Sequence, residues 1–208
     1  MRADVKSEKT YGMWGAILIL VGSFIPVGRF ILPLIGLVLV LVSLHGIKVK
    51  TGDERPFKNY LYSFIIEIIL IVSGIVILFL GFLKSEVETI NVYTINESIT
   101  SFESHQGFSA GSLLIGGVIL LFLGLIVSAY FKKKAWESMY EITKVEQFKS
   151  AATWYWIGAL TLVILVGLIL LLVAEIFVIL AFSNMPDELE LEGESRLDPL
   201  WEDFELLV

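Results

Sequence analysis

The chain has 208 residues, of which 56% are hydrophobic and 18% charged, a balance far from that of a water-soluble domain and suited to lipid. It contains no cysteine, which excludes disulfide frameworks, Cys-ligated zinc, iron–sulfur clusters and cysteine nucleophiles. The formal net charge of −7 is concentrated at one end: residues 184–208 carry nine Asp and Glu against the single Arg196, so this stretch holds −8 and the rest of the chain +1.

In chain order, Arg2, Lys6 and Lys9 precede the apolar run Met13–Val21. No small-x-small cleavage pattern follows, so the run is expected to be a retained first helix and not a secretory signal. Tyr11–Ile25 and Phe30–Ile47 are separated by Pro26-Val27-Gly28-Arg29. One continuous helix over 11–48 would overshoot the ~30 Å hydrocarbon layer roughly twofold, so a tight hairpin is expected here. The third and fourth segments, Asn59–Leu83 and Ser109–Phe131, have ordinary spanning length and flank a polar loop, 84–108. After them, Lys132-Lys133-Lys134 leads into Trp136, Met139, Tyr140 and Thr143 at spacings of three and four. That pattern fits either a short amphipathic helix on the inner membrane surface or a plain positively charged anchor. The last apolar stretch, 147–184, is too long for one upright span and has Gly167 as its weak point. A second hairpin broken near Val166-Gly167 makes six helices; a single tilted helix makes five. The expected fold is therefore an all-α polytopic transmembrane helical bundle over 1–184, with six helices and five as the alternative. An acidic tail, 185–208, follows it.

Lysine and arginine placement orients the bundle. With the N-terminus inside, Arg2, Lys6, Lys9, Lys48, Lys50, Arg55, Lys58, Lys132–Lys134, Lys144 and Lys149 are all cytoplasmic, and Arg29 and Lys84 are outside. The C-terminus is then cytoplasmic with six helices. The lipid bilayer of the cell membrane is the expected surrounding. Small residues recur seven apart at Gly15/Gly22, Gly74/Gly81, Gly117/Gly124 and Gly167/Ala174. In lipid such positions permit the close backbone approach that packs helices. The match between 74–81 and 117–124 leaves an internal duplication open.

The opening hairpin YGMWGAILILVGSFIPVGRFILPLIGLVLVLVSLHGI, the following GDERPFKNYLYSF and the late EQFKSAATWYWIGALTLVILVGLILLLVAEIFVILAFS resemble the uncharacterised archaeal multi-pass membrane proteins grouped as domain of unknown function 996. The resemblance covers roughly residues 11–185 and leaves out the tail after Pro186. It implies a multi-pass membrane protein of archaeal type and carries no activity, cofactor or catalytic residue.

Ionisable residues inside apolar segments are the first functional candidates, since each costs roughly 2.5–3.5 kcal/mol on insertion scales unless it finds a partner or water. Glu67 and Glu175 qualify. Facing a hydrated cavity, they would bind a cation or carry a proton; hydrogen-bonded to a neighbouring helix, they would be structural. His45 and His105 fall on opposite sides of the membrane, and no His/Asp/Glu cluster has ligand spacing, so neither a metal nor any other cofactor is expected. Ser43, Ser63, Ser73, Ser112 and Ser128 have no His or Lys at helical spacing to activate them, so no enzyme is expected. No basic stripe interleaved with aromatics lies outside the apolar segments, so no nucleic-acid partner is expected either. Asn96-Glu97-Ser98 is a possible glycosylation acceptor in the outer loop. Trp154-Tyr155-Trp156, Tyr60 and Tyr62 read as an interfacial aromatic belt.

In the tail, Asp198-Pro199 is a helix-start signal, after which Leu200, Trp201, Phe204, Leu207 and Val208 share one apolar face. So short a helix needs a docking partner, either the basic 132–149 loop of the same chain or another membrane or cytoplasmic protein. Two functional classes follow. One is a structural or accessory membrane component; the other is a small proton- or cation-coupled transporter or channel using Glu175 and Glu67.

Overall fold

The computed structural model describes residues 2–25, 31–95, 109–164 and 166–190, with side chains throughout except at 87–95 and 163. In chain order these form strand β1 (Arg2–Asp4), helices α1 (Lys6–Gly22), α2 (Ile31–Thr51), α3 (Arg55–Ile95), α4 (Ala110–Thr143) and α5 (Glu146–Leu160), a 3-10 turn at Leu162–Ile164, helix α6 (Val166–Asn184) and strand β2 (Glu188–Glu190). The fold is all-α, with six helices among the described residues. Four are long and apolar enough to cross a membrane: α2, α3 as far as Glu86, α4 and α6. At 1.5 Å per residue, the 17 residues of α1 and 15 of α5 reach only about 26 and 23 Å, short of the ~30 Å hydrocarbon layer. The tail helix expected from 198 and Asn96 lie outside the described residues.

Local chemistry sets the helix ends. Gly52, at φ 77°, closes α2 by donating to the Lys48 carbonyl at 2.9 Å, the left-handed cap that glycine permits. Asp53 then accepts the Arg55 N–H at 2.9 Å, and Pro56 sits in the first turn of α3, where a missing N–H costs nothing. Ser109 Oγ caps α4 through the Ser112 N–H at 3.2 Å, satisfying a first-turn donor. At the other end Lys144 takes φ 56° and donates to the Tyr140 carbonyl at 2.8 Å. The α5–α6 break falls at 161–165, just before Gly167, whose absent Cβ leaves room for the Gly158 carbonyl and the Leu162 backbone.

The chain divides into two units, residues 1–61 with 131–208, and residues 62–130. In the first, α1 packs antiparallel on α2 where Gly15 and Gly36 face each other; a Cβ on Gly36 would meet the Gly15 carbonyl oxygen at 2.4 Å. The Phe182 ring of α6 lies directly on Gly12 of α1. It belongs to an aromatic cluster with Trp136 and Phe148, all three buried. Phe182 is edge-on to both, at 5.9 and 5.2 Å, while Trp136 stacks on Phe148 at 5.7 Å and meets Tyr60 edge-on at 5.3 Å. Such offset and T-shaped pairs suit the ring quadrupole.

This overturns the expectation of a surface helix after Lys132. The helix α4 runs unbroken through Lys132–Lys134 to Thr143, and Trp136 and Met139 are buried in the core. No residue in that stretch breaks a helix, and burial of two large apolar side chains offsets the three charges beside them. Tyr60 and Tyr155 likewise leave the expected aromatic belt and are buried.

The strands close the first unit. β1 and β2 pair antiparallel, Arg2 opposite Glu190, Ala3 opposite Leu189 and Asp4 opposite Glu188. The Val5 N–H extends the ladder to the Asp187 carbonyl at 2.8 Å, and Lys9 meets Asp187 at 3.0 Å. The start of α1 and the end of α6 therefore lie together.

In the second unit α3 and α4 pair antiparallel along the predicted small residues. A Cβ on Gly74 would meet Leu121, on Gly117 Leu78, on Gly124 Leu70, and on Gly81 Leu113 and Leu114. Ile68, Ile69, Val72, Ile75, Phe79, Ile115 and Ile119 stand exposed around this seam, as expected where lipid is the solvent.

Candidate functional site

Each intramembrane carboxylate has a hydroxyl partner on a neighbouring helix. Tyr155 Oη of α5 donates a hydrogen bond to Glu175 Oε1 of α6, and the antiparallel α5–α6 hairpin brings them level. Lys132 Nζ of α4 sits 5.7 Å from the centre of the Tyr155 ring, a cation over a π face. A cation, a phenol and a carboxylate thus follow one another in the first unit. In the second, Ser128 Oγ of α4 donates to Glu67 Oε2 of α3 at 2.9 Å. The two carboxylates belong to different units and are held by different partners.

A third carboxylate escaped the sequence reading because it precedes the apolar run. Glu8 of α1 is buried, and Lys50 Nζ of α2 meets its Oε2 at 2.6 Å. Ser43 Oγ donates to the Glu8 carbonyl at 2.6 Å. Gly46 makes the space: a Cβ there would lie 2.6 Å from the Glu8 side chain. Ser43, Gly46 and Lys50 share one face of α2, so spacings of three and four were the available signal. Removing Lys50 would leave the buried Glu8 carboxylate without its charge partner, which is the costly half of such a pair to expose.

At the end carrying both strands lies a polar cleft of ≈ 680 Å³, lined by the α2–α3 turn (Thr51, Asp53, Arg55), the end of α4 (Glu141–Lys144) and Pro186 with β2 (Glu188–Glu190). Arg55 bridges Asp53 at 2.7 Å and Glu141 at 2.6 Å. Its hydrogen bonds hold the Asp53 carboxyl below the usual carboxylate range. Glu54 is lowered too, by Lys58 and then Lys48. His45, on α2, is exposed and meets the Phe57 ring edge-on at 5.2 Å. Among the described residues no three His, Asp or Glu side chains come together as metal ligands. The possible tail-docking residues Leu200, Trp201 and Phe204 lie outside the described residues, as does His105.

Long apolar helices, small-residue seams and carboxylates held by hydroxyls are the features of a helical protein built for a bilayer. The chain belongs to the family described as protein of unknown function DUF996, which matches residues 32–176. It is also similar to an uncharacterized protein of the archaeon Methanocaldococcus jannaschii, 32% identical over 193 residues that cover 93% of this chain and 99% of the relative. No solved structure matches it.

Proposed function

We propose that the protein is an accessory component of the cell membrane that crosses the bilayer an even number of times and presents its strand-bearing end to a partner in the cytoplasm. The observation that supports this most is the use of its membrane carboxylates as ties between helices: Glu175 to Tyr155, Glu67 to Ser128. Polar groups committed in this way hold a bundle together. The cytoplasmic assignment rests on Lys48, Lys50, Arg55, Lys58, Lys144 and Lys149 gathering at one end of their helices, and the partner contact on the polar cleft there.

A second reading is favoured by one feature. Lys132, Tyr155 and Glu175 form a row of groups able to pass a proton, as a small proton-coupled transporter would need. Proteoliposomes loaded with a pH-sensitive dye separate the two. The accessory reading expects no proton leak above that of empty vesicles under an imposed gradient, for the natural protein and for Glu175→Gln and Glu67→Gln alike. Flux that disappears in Glu175→Gln would replace it with the transporter.

A further inference from the structure

The pairing of β1 with β2 leaves half of the β2 backbone unused. In an antiparallel ladder, residues that exchange hydrogen bonds with their partner alternate with residues whose N–H and C=O point the other way. The Val5 N–H to Asp187 carbonyl bond fixes the phase, so with the observed register Leu189 bonds to Ala3 while Glu188 and Glu190 direct their backbone groups away from β1. Among the described residues nothing pairs with those groups. On that outer side lies the polar cleft, which is lined by all three residues of β2 and by none of β1. The side chains alternate as well: Leu189 is 3% exposed and turned into the protein, while Glu188 and Glu190 are exposed.

We propose that this free edge of β2 receives an extended, basic segment of a partner protein, added as a third strand with Lys or Arg beside Glu188 and Glu190. Main-chain bonding supplies the attachment, as in other cases of strand addition, and charge selects the occupant. The cleft lining carries four carboxylates (Asp53, Glu141, Glu188, Glu190) against two cations (Arg55, Lys144), and Arg55 is engaged by Asp53 and Glu141. Arg2 reaches Glu188 and Glu190 only at 3.5 and 3.6 Å with all three side chains exposed, a pairing too weakly held to neutralise them. A second copy of the chain would set Glu against Glu across the new pair, and like charges directly opposite are unfavourable. The chain's own residues 192–208 carry six Asp and Glu against Arg196, so they are repelled by the same surface.

This inference rests on the accessory reading above, and its test is independent of proton flux. Two blocked octapeptides, one alternating lysine with valine and one alternating glutamate with valine, are fluorescently labelled and titrated by anisotropy with the full-length protein in a non-ionic detergent. The lysine peptide should bind and the glutamate peptide should bind at least tenfold more weakly. Glu190→Pro removes one outward N–H without touching a β1 bond and should weaken the lysine peptide at least tenfold. Should that variant fail to fold, the triple change Arg2→Glu, Glu188→Lys, Glu190→Lys keeps opposite charges across β1 and β2 and should invert the peptide preference. Equal binding of both peptides, no binding, or an unchanged preference in the triple variant overturns the proposal. So does a concentration-dependent doubling of mass that Glu190→Pro abolishes, which would make a second copy the occupant. Failure of the peptide experiment with no proton flux removes the edge site and leaves the accessory reading in place, whereas flux removes that reading whatever the peptides do.

Discussion

The two units of this molecule solve the same packing problem with different residues. The first unit has an aromatic cluster of Trp136, Phe148 and Phe182, with Phe182 seated on Gly12, alongside the Gly15–Gly36 contact and the Glu8–Lys50 pair. The second is held by small residues, Gly74, Gly81, Gly117 and Gly124, each receiving a leucine from the opposite helix. Both units leave large apolar side chains more than half exposed, Ile31 and Ile169 in the first and Ile69, Ile75, Phe79 and Ile115 in the second, which is tolerable where the surroundings are as apolar as the side chains. Within one chain, cohesion thus draws on an aromatic cluster added to glycine contacts in one unit and on glycine–leucine contact in the other.

That contrast can be broken most forcefully at Phe182. Phe182→Ala should cost about 3–5 kcal/mol, the usual range for deleting a buried aromatic side chain, because the ring fills the gap between α1, α4 and α5. Phe79→Ala in the second unit, at 59% exposure, should be nearly neutral. Chemical unfolding in mixed micelles measures both, and comparable losses would dissolve the distinction between the units. A smaller effect sharpens the picture inside the second unit. Gly117→Leu drives a side chain into Leu78, whereas a Cβ on Gly116 meets nothing within 4 Å. The first change should cost about 1–3 kcal/mol through overpacking and the second almost nothing. Equal costs would mean that the α3–α4 seam does not run through Gly117.

The smallest expected effect lies at the cleft of the first unit and depends on pH. Arg55 lowers the folded-state pKa of Asp53, so the Asp53–Arg55 contact stabilises the fold above the unfolded carboxylate pKa and loses that contribution as pH falls through the folded value. The natural protein should therefore melt slightly above Asp53→Asn at neutral pH, and the difference should shrink in acid. A gap that persists to the lowest pH at which both fold would detach Asp53 from the effect. The side chain is accessible enough for the gap to be small.

How much of this was legible in the sequence differs from element to element. The α5–α6 break was, because Gly167 interrupts an apolar run too long for one span. The glycine seam of the second unit was, because seven-residue spacing returns a side chain to nearly the same face of a helix. The path of α4 was not. Lysines at 132–134 look like the end of a span whether the helix stops or continues, and Trp136 carries the same composition on a lipid interface or in a core. The strands were illegible for a different reason. Three-residue segments such as Arg2–Asp4 have no periodicity to read, and their pairing depends on residues 186 positions away that only the helices between them bring near. Of the candidate site residues, Glu67 and Glu175 stood out by cost, but the partners Ser128 and Tyr155 could not be assigned, since a serine or tyrosine in an apolar run has many possible neighbours.

The pairing of the two strands also orders events during synthesis. β1 leaves the ribosome well over a hundred residues ahead of β2, with which it pairs. At translation rates of roughly 5–20 residues per second, β1 waits about 10–40 s for its partner. Lys9 and the Val5 N–H wait with it, since Asp187 belongs to the same late segment. Throughout that interval the first strand is unpaired, and the helices between β1 and β2 are all synthesised before it can close. The two-stranded sheet thus acts as a latch that only a chain made past β2 can fasten, and a product cut short before residue 187 keeps its first strand open to any quality-control factor that binds extended backbone.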